Sequence, residues 1–157
     1  MSLLPSVLFV CLGNICRSPL AEAAFRAAAD ERGLRLTIDS AGLGGWHAGE
    51  APDPRAQEVA RANGIDISHY RARQVARKDF GLFDHVVALD LDNLVALREL
   101  RPQSARARLS LLLDHVPGRE GQAVSDPYYS GPEGFLTTWS DVTAGADGLL
   151  TKILAPA

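Results

Sequence analysis

The predicted fold rests on VLFVCLGNICRSP, residues 7–19. The first four residues are a continuous apolar run, which is typical of a strand buried on both faces of a parallel sheet. The run ends at Gly13-Asn14, a pair that breaks regular structure. A helical pattern follows, with Ser18 predicted as its N-cap and Pro19 as its first residue. The stretch is therefore predicted to join the first strand directly to the first helix.

The rest of the chain repeats this alternation of strands and helices. The predicted strands are residues 7–10, 36–38, 85–89 and 108–112. The predicted helices begin at Pro19, Pro54 (with Asp53 as N-cap), Leu91 (with Asp90 as N-cap) and about Phe135. Strands that alternate with helices imply right-handed crossovers and a parallel sheet. We therefore expect one doubly wound α/β domain over residues 1–157, a four-stranded parallel sheet with helices on both faces.

Length and composition exclude several classes of protein. The chain has 157 residues, of which 46% are hydrophobic, and a formal net charge of −3. A chain of this length buries roughly 68–70% of its unfolded surface, enough for one core without disulfides or a metal. A repeat array, a disulfide-rich mini-protein and a disordered chain are therefore excluded. The 16 lysines and arginines form no basic stripe, so no nucleic-acid partner is expected.

The cysteines and apolar runs indicate the compartment. The two cysteines, Cys11 and Cys16, lie five residues apart, so no long-range disulfide can form. Residues 1–5 lack a basic signal-peptide region, and residues 7–10 are too short for its apolar core. No stretch reaches the roughly 18 apolar residues of a transmembrane helix. We expect a cytoplasmic protein without a membrane partner.

The junction after the first strand predicts an anion site. Ligands of open α/β sheets bind at the carboxyl ends of strands, where helix N-termini offer free N–H groups and a positive dipole end. Gly13 adopts positive φ freely and Asn14 tolerates it, which lets successive N–H groups point inward. Arg17 adds a planar fork that matches two phosphate oxygens. The residues predicted to bind substrate here are Leu12, Gly13, Asn14, Ile15, Cys16 and Ser18.

Cys11 stands at the mouth of this predicted site. A thiol close to a helix N-terminus and an arginine ionises more readily than a free one, and the thiolate is the nucleophile. The Ser18 hydroxyl can hydrogen-bond the sulfur and make it a better leaving group. A nucleophile at the floor of an anion site predicts phosphoryl transfer through a cysteinyl-phosphate.

Asp126 is the candidate general acid. Departure of an alkoxide or phenolate requires a proton, and Asp126 lies in a loop after the fourth predicted strand. Pro127 biases it away from helical geometry. Tyr128 and Tyr129, with Trp46 from a Gly-rich loop, are predicted as apolar walls for an aromatic leaving group. From spacing alone, Asp126 is also compatible with an ordinary turn residue.

These motifs resemble the low-molecular-weight protein tyrosine phosphatases. The likeness rests on residues 11–18, the D-P-Y-Y sequence at 126–129 and the region 46–55, and it extends over essentially the whole chain. It implies Cys11 as nucleophile, Arg17 as phosphate clamp and Asp126 as acid and then base. It also implies that Asn14, Ser18 and Ser40 brace the loop and that no metal or cofactor is needed. The implied substrates are tyrosine-phosphorylated proteins, and we expect a monomer.

One position departs from the family pattern. The family often has a histidine directly before a K/R-A-R sequence, bonded to the loop asparagine. Here Tyr70 precedes Arg71-Ala72-Arg73, and His69 stands one residue earlier. Whether His69 braces the phosphate loop stays open at this point. Cys16 also has two interpretations, a buried apolar residue or a thiol that captures oxidised Cys11 as a disulfide.

Three other functions compete with tyrosine phosphatase activity. Phosphoarginine phosphatases resemble this motif but have threonine at the position of Ile15. Arsenate reductases on this scaffold pass a disulfide to cysteines near mid-chain, and no cysteine follows Cys16. An inactive phosphate-binding module is expected to lack Cys11 or Asp126, and both are present. The sequence favours phosphotyrosine hydrolysis.

Overall fold

A computed structural model describes residues 4–155 and contains one four-stranded parallel sheet. The strands are β1 (Val7–Cys11), β2 (Ile38–Gly42), β3 (His85–Ala88) and β4 (Arg108–Leu111), in the order β2-β1-β3-β4. The helices are α1 (Arg17–Glu31), α2 (Pro54–Ala62), α3 (Asp79–Leu82), α4 (Leu91–Leu100) and α5 (Pro132–Leu154). A 3₁₀ turn, Leu112–His115, follows β4. The predicted fold class is confirmed. Residues 1–3, part of the segment tested for a signal peptide, and residues 156–157 lie outside the description.

The central strand β1 separates two apolar cores. Side chains alternate between the faces of a strand. Val7 and Phe9 therefore pack with α1 and α5 on one face, while Leu8 and Val10 pack with α3 and α4 on the other. All four of these side chains are fully buried. This burial on both faces is what the continuous apolar run predicted, and it holds the carboxyl end of β1 rigidly.

Some predicted boundaries are wrong. Helix α1 begins at Arg17, one residue before the predicted cap, and Ser18 is not its N-cap but a fully buried residue. Strand β2 covers Ile38–Gly42 rather than 36–38, because pairing with β1 recruits its polar residues Asp39 and Ser40. Helix α5 begins at Pro132, a residue suited to the first helical turn. The short helix α3 was not predicted, since four residues carry no readable periodicity. Asp53 and Asp90 cap α2 and α4 as predicted.

Among residues 4–155, no helix combines the length and apolar character needed to cross a membrane.

His115, at the end of the 3₁₀ turn, makes stability depend on pH. Burial, helped by the positive charge of Lys152, lowers the pKa of His115 to about 4. Because the unfolded side chain has a pKa of about 6.5, only the unfolded chain binds this proton as the pH falls between the two values. Stability is therefore lost over that window. From about pH 7 to 4.5 we expect wild type to lose about 2 kcal/mol more than His115→Gln in urea titrations. Equal losses would contradict the assignment.

Candidate active site

The loop between β1 and α1 lies at the carboxyl edge of the sheet, as predicted. Its outer side is tied down by Leu43 and Gly44, whose N–H groups donate to Cys11 and Leu12 at 2.9 and 3.0 Å. Asn14 adopts the left-handed conformation with φ of 59°. Gly13 does not, so the positive φ expected of either residue falls on the asparagine alone. The loop is thus a fixed turn rather than a flexible glycine segment.

The backbone N–H groups of residues 12–17 share an unusual property. None of them donates a hydrogen bond to another residue in the described part of the chain. Backbone N–H groups are nearly always partnered in folded proteins, so a run of six without protein acceptors is a site for an acceptor from outside. The N-terminus of α1 adds its dipole at the same place. The turn therefore has the donors for a bound oxyanion.

Cys11 ends β1 beneath this turn, and its side chain is only 3% exposed. Its sulfur lies 3.1 Å from Oγ of Ser18. Nδ2 of Asn14 donates to this same Oγ at 2.7 Å. Because the Ser18 oxygen accepts from Asn14, its own proton is free to donate to the sulfur. The alternative acceptor of that proton, the carbonyl of Ala41, is farther away at 3.4 Å.

The hydrogen-bond network continues to a buried carboxyl group, Glu22, which the sequence analysis did not identify. Nδ2 of Asn14 also donates to Oγ of Ser40 at 3.0 Å, which is the contact that the family resemblance implies. The Ser40 hydroxyl in turn donates to Glu22 at 2.8 Å. Nε of Arg26 pairs with the other Glu22 oxygen at 2.9 Å. Burial raises the pKa of the Glu22 carboxyl, while Ser40 and Arg26 oppose this effect.

The position of His69 is also settled in the described residues. Oδ1 of Asn14 accepts the backbone N–H of Arg73 at 3.0 Å. No hydrogen bond joins Asn14 to His69 within residues 4–155; the His69 ring instead packs edge-on against Tyr70 at 5.0 Å. The backbone N–H of Arg73 therefore fixes the orientation of the Asn14 side-chain amide in this protein. The presence of Tyr70 at the usual histidine position had left that support open.

Glu22→Gln is expected to lower the reactivity of Cys11, because the two residues are joined by the hydrogen bonds through Ser40, Asn14 and Ser18. A carboxylate only accepts, so it keeps the Ser40 hydroxyl pointing towards it; a glutamine can donate and removes that constraint. We expect the alkylation of Cys11 by iodoacetate at one fixed pH to become slower, and kcat/KM to fall about fivefold, the effect of roughly one hydrogen bond.

The control for Glu22→Gln is Glu31→Gln, an exposed substitution on the same helix. A purely structural role for Glu22 predicts a lower Tm with an unchanged rate of Cys11 alkylation. That result would remove Glu22 as a positioning residue.

Arg17 is held by three groups from two other parts of the chain, Asp90 and the loop that contains Val124 and Asp126. Its side chain is 4% exposed, and Nη1 lies 2.6 Å from Asp90 and 3.0 Å from the carbonyl of Val124. Nη2 lies 3.7 Å from Oδ2 of Asp126. Burial alone lowers the pKa of Arg17, but Cys11, Asp90 and Asp126 together raise it. Asp90, predicted only as an N-cap, therefore both caps α4 and positions Arg17.

Asp126 lines the same cleft as Cys11 and Arg17. Its side chain is 46% exposed, and one carboxylate oxygen accepts the backbone N–H of Tyr128 at 3.0 Å. The turn thus orients the carboxylate, while its exposure leaves room for a substrate oxygen or a water molecule. The two interpretations of Asp126, turn residue and acid, are compatible in this geometry.

The cleft has a volume of about 240 Å³. Trp46 and Tyr129 are the most exposed of its walls, and Tyr128 packs edge-on against Tyr129 at 4.9 Å. Gly44 lies beneath Trp46, and a Cβ there would displace the exposed indole, which it would meet at 1.9 Å. The lining residues are Cys11, Leu12, Gly13, Ile15, Cys16, Arg17, Trp46, His47, Asp126, Tyr128 and Tyr129.

The lining differs from the predicted binding set in three residues. Asn14 and Ser18 do not line the cleft, because their side chains face the network behind the loop. His47 does line it, although the sequence offered only a histidine beside Trp46 in a Gly-rich loop. The cleft thus brings together Cys11, Arg17 and Asp126, the candidate nucleophile, phosphate clamp and acid.

Cys16 contributes an apolar surface. Burial, with the nearby carboxylate of Asp53, raises the pKa of the Cys16 thiol far above its usual range. This thiol therefore stays protonated. Within residues 4–155, no three histidine, cysteine or acidic side chains cluster as a metal site would require.

Comparisons with known proteins agree with this geometry. A family model described as low molecular weight phosphotyrosine protein phosphatase matches residues 6–156. The enzyme of that name from Schizosaccharomyces pombe is 47% identical over 132 residues, which cover 82% of this chain and 84% of that protein. Low molecular weight protein-tyrosine-phosphatase YfkJ of Bacillus subtilis is 43% identical over 150 residues, covering 94% and 95% of the two chains. A solved Drosophila arginine phosphatase superposes with a TM-score of 0.91 at 30% identity, covering 97% and 99%.

Proposed function

Since this chain belongs to the low-molecular-weight phosphotyrosine protein phosphatase family, whose members are phosphoric monoester hydrolases, we propose that it hydrolyses phosphotyrosine and small aryl phosphates through a cysteinyl-phosphate. The observation that carries the proposal is the run of N–H groups at residues 12–17, which have no hydrogen-bond acceptor within residues 4–155 and follow directly on Cys11 at the same cleft. Such donors match the three equatorial oxygens over which a phosphoryl transition state spreads its charge.

The first step transfers the phosphoryl group to sulfur. The Cys11 thiolate attacks phosphorus, so that the S–P bond forms as the bond from phosphorus to the phenol oxygen breaks. Arg17 and the loop N–H groups hold the phosphoryl oxygens. Asp126 gives its proton to the departing oxygen, which otherwise leaves as a phenolate.

The second step releases phosphate. Asp126, now a carboxylate, takes a proton from a water molecule as the water oxygen attacks phosphorus. The S–P bond breaks and its electron pair returns to Cys11. The Ser18 hydroxyl, 3.1 Å from that sulfur, stabilises the returning charge. Phosphate leaves and the enzyme regains its starting form.

Trapping the intermediate tests this route. We expect hydrolysis of phosphotyrosine to continue in excess chelator, and acid quenching during turnover to show phosphate bound to Cys11 by mass spectrometry. Turnover without a phosphorylated cysteine would overturn the mechanism. A requirement for added metal would do so as well.

The residues around the cleft favour phosphotyrosine over phosphoarginine as the substrate. Trp46, Tyr128 and Tyr129 offer aromatic surfaces around the cleft, which suit a phenyl ring. Phosphoarginine is the second candidate, because the fold superposes closely on that of an arginine phosphatase. Ile15 favours the first, since it places an apolar side chain on the cleft wall where a guanidinium would need a polar partner.

Ile15→Thr is expected to raise the preference for phosphoarginine over phosphotyrosine by about tenfold, the scale of one polar contact in a specificity pocket. The two kcat/KM values are measured on peptides that differ only in the phosphorylated residue. Ile15→Val is the matched control, because valine has the shape of threonine without its hydroxyl. If both variants give the wild-type ratio, Ile15 does not set the specificity.

A further inference from the structure

A second cavity, of about 760 Å³, lies at the other end of the molecule. His85 and Arg108 are the first residues of β3 and β4 and are direct partners in the sheet, so the cavity sits at the amino ends of these strands. Cys11 is at the carboxyl end of β1. The cavity is therefore separated from the catalytic cleft by the length of the sheet.

The walls of this cavity are two regular surfaces. Arg108 and Ser110 alternate along the edge strand β4 and so share one face, and Arg106 lines the cavity from just before this strand. Leu149, Lys152 and Ile153 recur at helical spacing on the last turns of α5 and face them. One wall is thus cationic and polar, and the other combines apolar side chains with a further cation.

The charges here are poorly balanced by carboxylates. Asp84 is the acidic residue among the lining residues, and it already accepts from the N–H and hydroxyl of Ser6 at 2.9 and 3.2 Å. Its other oxygen lies 3.6 Å from Arg106. Neither Arg108 nor Lys152 has a carboxylate within 4.0 Å among residues 4–155. The chain as a whole has a net charge of −3, whereas this cavity has three cations around one carboxylate. This local excess of positive charge favours an anionic partner.

Two histidines, His85 and His115, also line the cavity, and their pKa values depend on its charge. The Ser110 hydroxyl lies 2.9 Å from Nε2 of His115, which leaves the buried Nδ1 without a hydrogen-bond partner in the described chain. Burial and the neighbouring cations Arg108 and Lys152 lower the pKa values of His85 and His115, respectively. An anion placed among these cations would raise both pKa values, so the histidines report occupancy directly.

We propose that this cavity binds a small organic anion, with its phosphate or carboxylate group against Arg106, Arg108 and Lys152 and its apolar part against Ile153. The anionic group gains charge-assisted hydrogen bonds from the arginines. The apolar part covers the half-buried side chain of Ile153 on α5. The proposal is independent of the catalytic mechanism, since it shares no residue with the cleft.

Nuclear magnetic resonance locates the binding. The probe is 1-naphthylphosphonate, which cannot be hydrolysed, and the signals followed are the His85 and His115 rings, the Ile153 methyl groups and the Trp46 indole. We expect two separate saturable titrations, one at Trp46 in the cleft and one at the other three residues. Inorganic phosphate and 1-naphthol, each with half of the probe's chemistry, are expected to bind the second cavity more weakly.

Arg108→Gln is expected to weaken binding at the second cavity about tenfold while the Trp46 titration is unchanged. The matched control, Arg98→Gln, removes an exposed arginine of α4 outside the cavity and is expected to change neither titration. Shifts confined to Trp46 would overturn the proposal. Shifts at the histidines that sodium chloride reproduces at equal ionic strength would do the same, since they would show an adventitious ion only.

Discussion

Replacing Cys11 by serine is expected to lower kcat/KM for an aryl phosphate by about 10⁴-fold or more, because removing the nucleophile removes the covalent route itself. A serine hydroxyl at this position stays protonated at neutral pH, and no histidine lies within hydrogen-bonding distance of the Cys11 sulfur among the described residues to act as its base. The N–H groups of residues 12–17 and the side chain of Arg17 are untouched by the change. Phosphate binding should therefore survive while turnover does not.

Two measurements separate chemistry from binding in this variant. Steady-state hydrolysis of 4-nitrophenyl phosphate gives the loss in kcat/KM, and titration with inorganic phosphate gives its affinity. We expect the affinity of Cys11→Ser to stay within a few-fold of wild type. A variant that loses phosphate binding in the same proportion as activity would show that Cys11 shapes the loop rather than attacking phosphorus.

The contiguous part of the site could be predicted from the sequence. Cys11 and Arg17 lie within one turn that joins a buried strand to a helix, so the local chain alone places both at an anion site. The prediction of Asp126 rested on its neighbours, a proline and two tyrosines, and on its position in a loop after the fourth strand. For each of these three residues, a few neighbouring residues of the sequence are enough to indicate its chemistry and its place in the fold.

The supporting contacts could not be predicted because they depend on tertiary structure. Asp90 reaches Arg17 across 73 residues of sequence, and its local pattern fully explains it as a helix cap. Glu22 sits on an alanine-rich helix where a carboxylate beside an arginine at i+4 normally indicates a solvated ion pair. Only the folded chain turns that pair inward, against Ser40.

Ser18 shows how a correct residue can be given a wrong local role. A serine before a proline is a good helix cap by sequence, yet the helix begins one residue earlier, at Arg17. The apolar stripe of α1 then points Ser18 into the protein, where its hydroxyl meets the sulfur of Cys11. The one-residue difference in the start of the helix decides whether this hydroxyl caps the helix or contacts the Cys11 sulfur.

Asp126→Asn is expected to slow phosphotyrosine hydrolysis by about 10²- to 10⁴-fold, the usual contribution of a general acid. An asparagine has no proton that it can transfer to the phenol oxygen. A tyrosine phenol has a pKa of about 10, so it leaves poorly as a phenolate. A dinitrophenol is far more acidic and leaves without a proton. The loss should therefore shrink as the leaving group becomes more acidic.

A series of aryl phosphates measures this dependence as the slope of log(kcat/KM) against the pKa of the phenol. Wild type should give a nearly flat line and Asp126→Asn a steep one. Asp126→Glu is the matched control: it keeps an acid but moves it, so the rate falls while the slope stays shallow. Equal losses for every leaving group would instead indicate that the carboxylate, 3.7 Å from Arg17, serves only to orient that guanidinium. The slope thus distinguishes proton transfer by Asp126 from positioning of Arg17. A rate measured on one substrate cannot separate the two roles, because Asp126, like Asp90, lies close to Arg17.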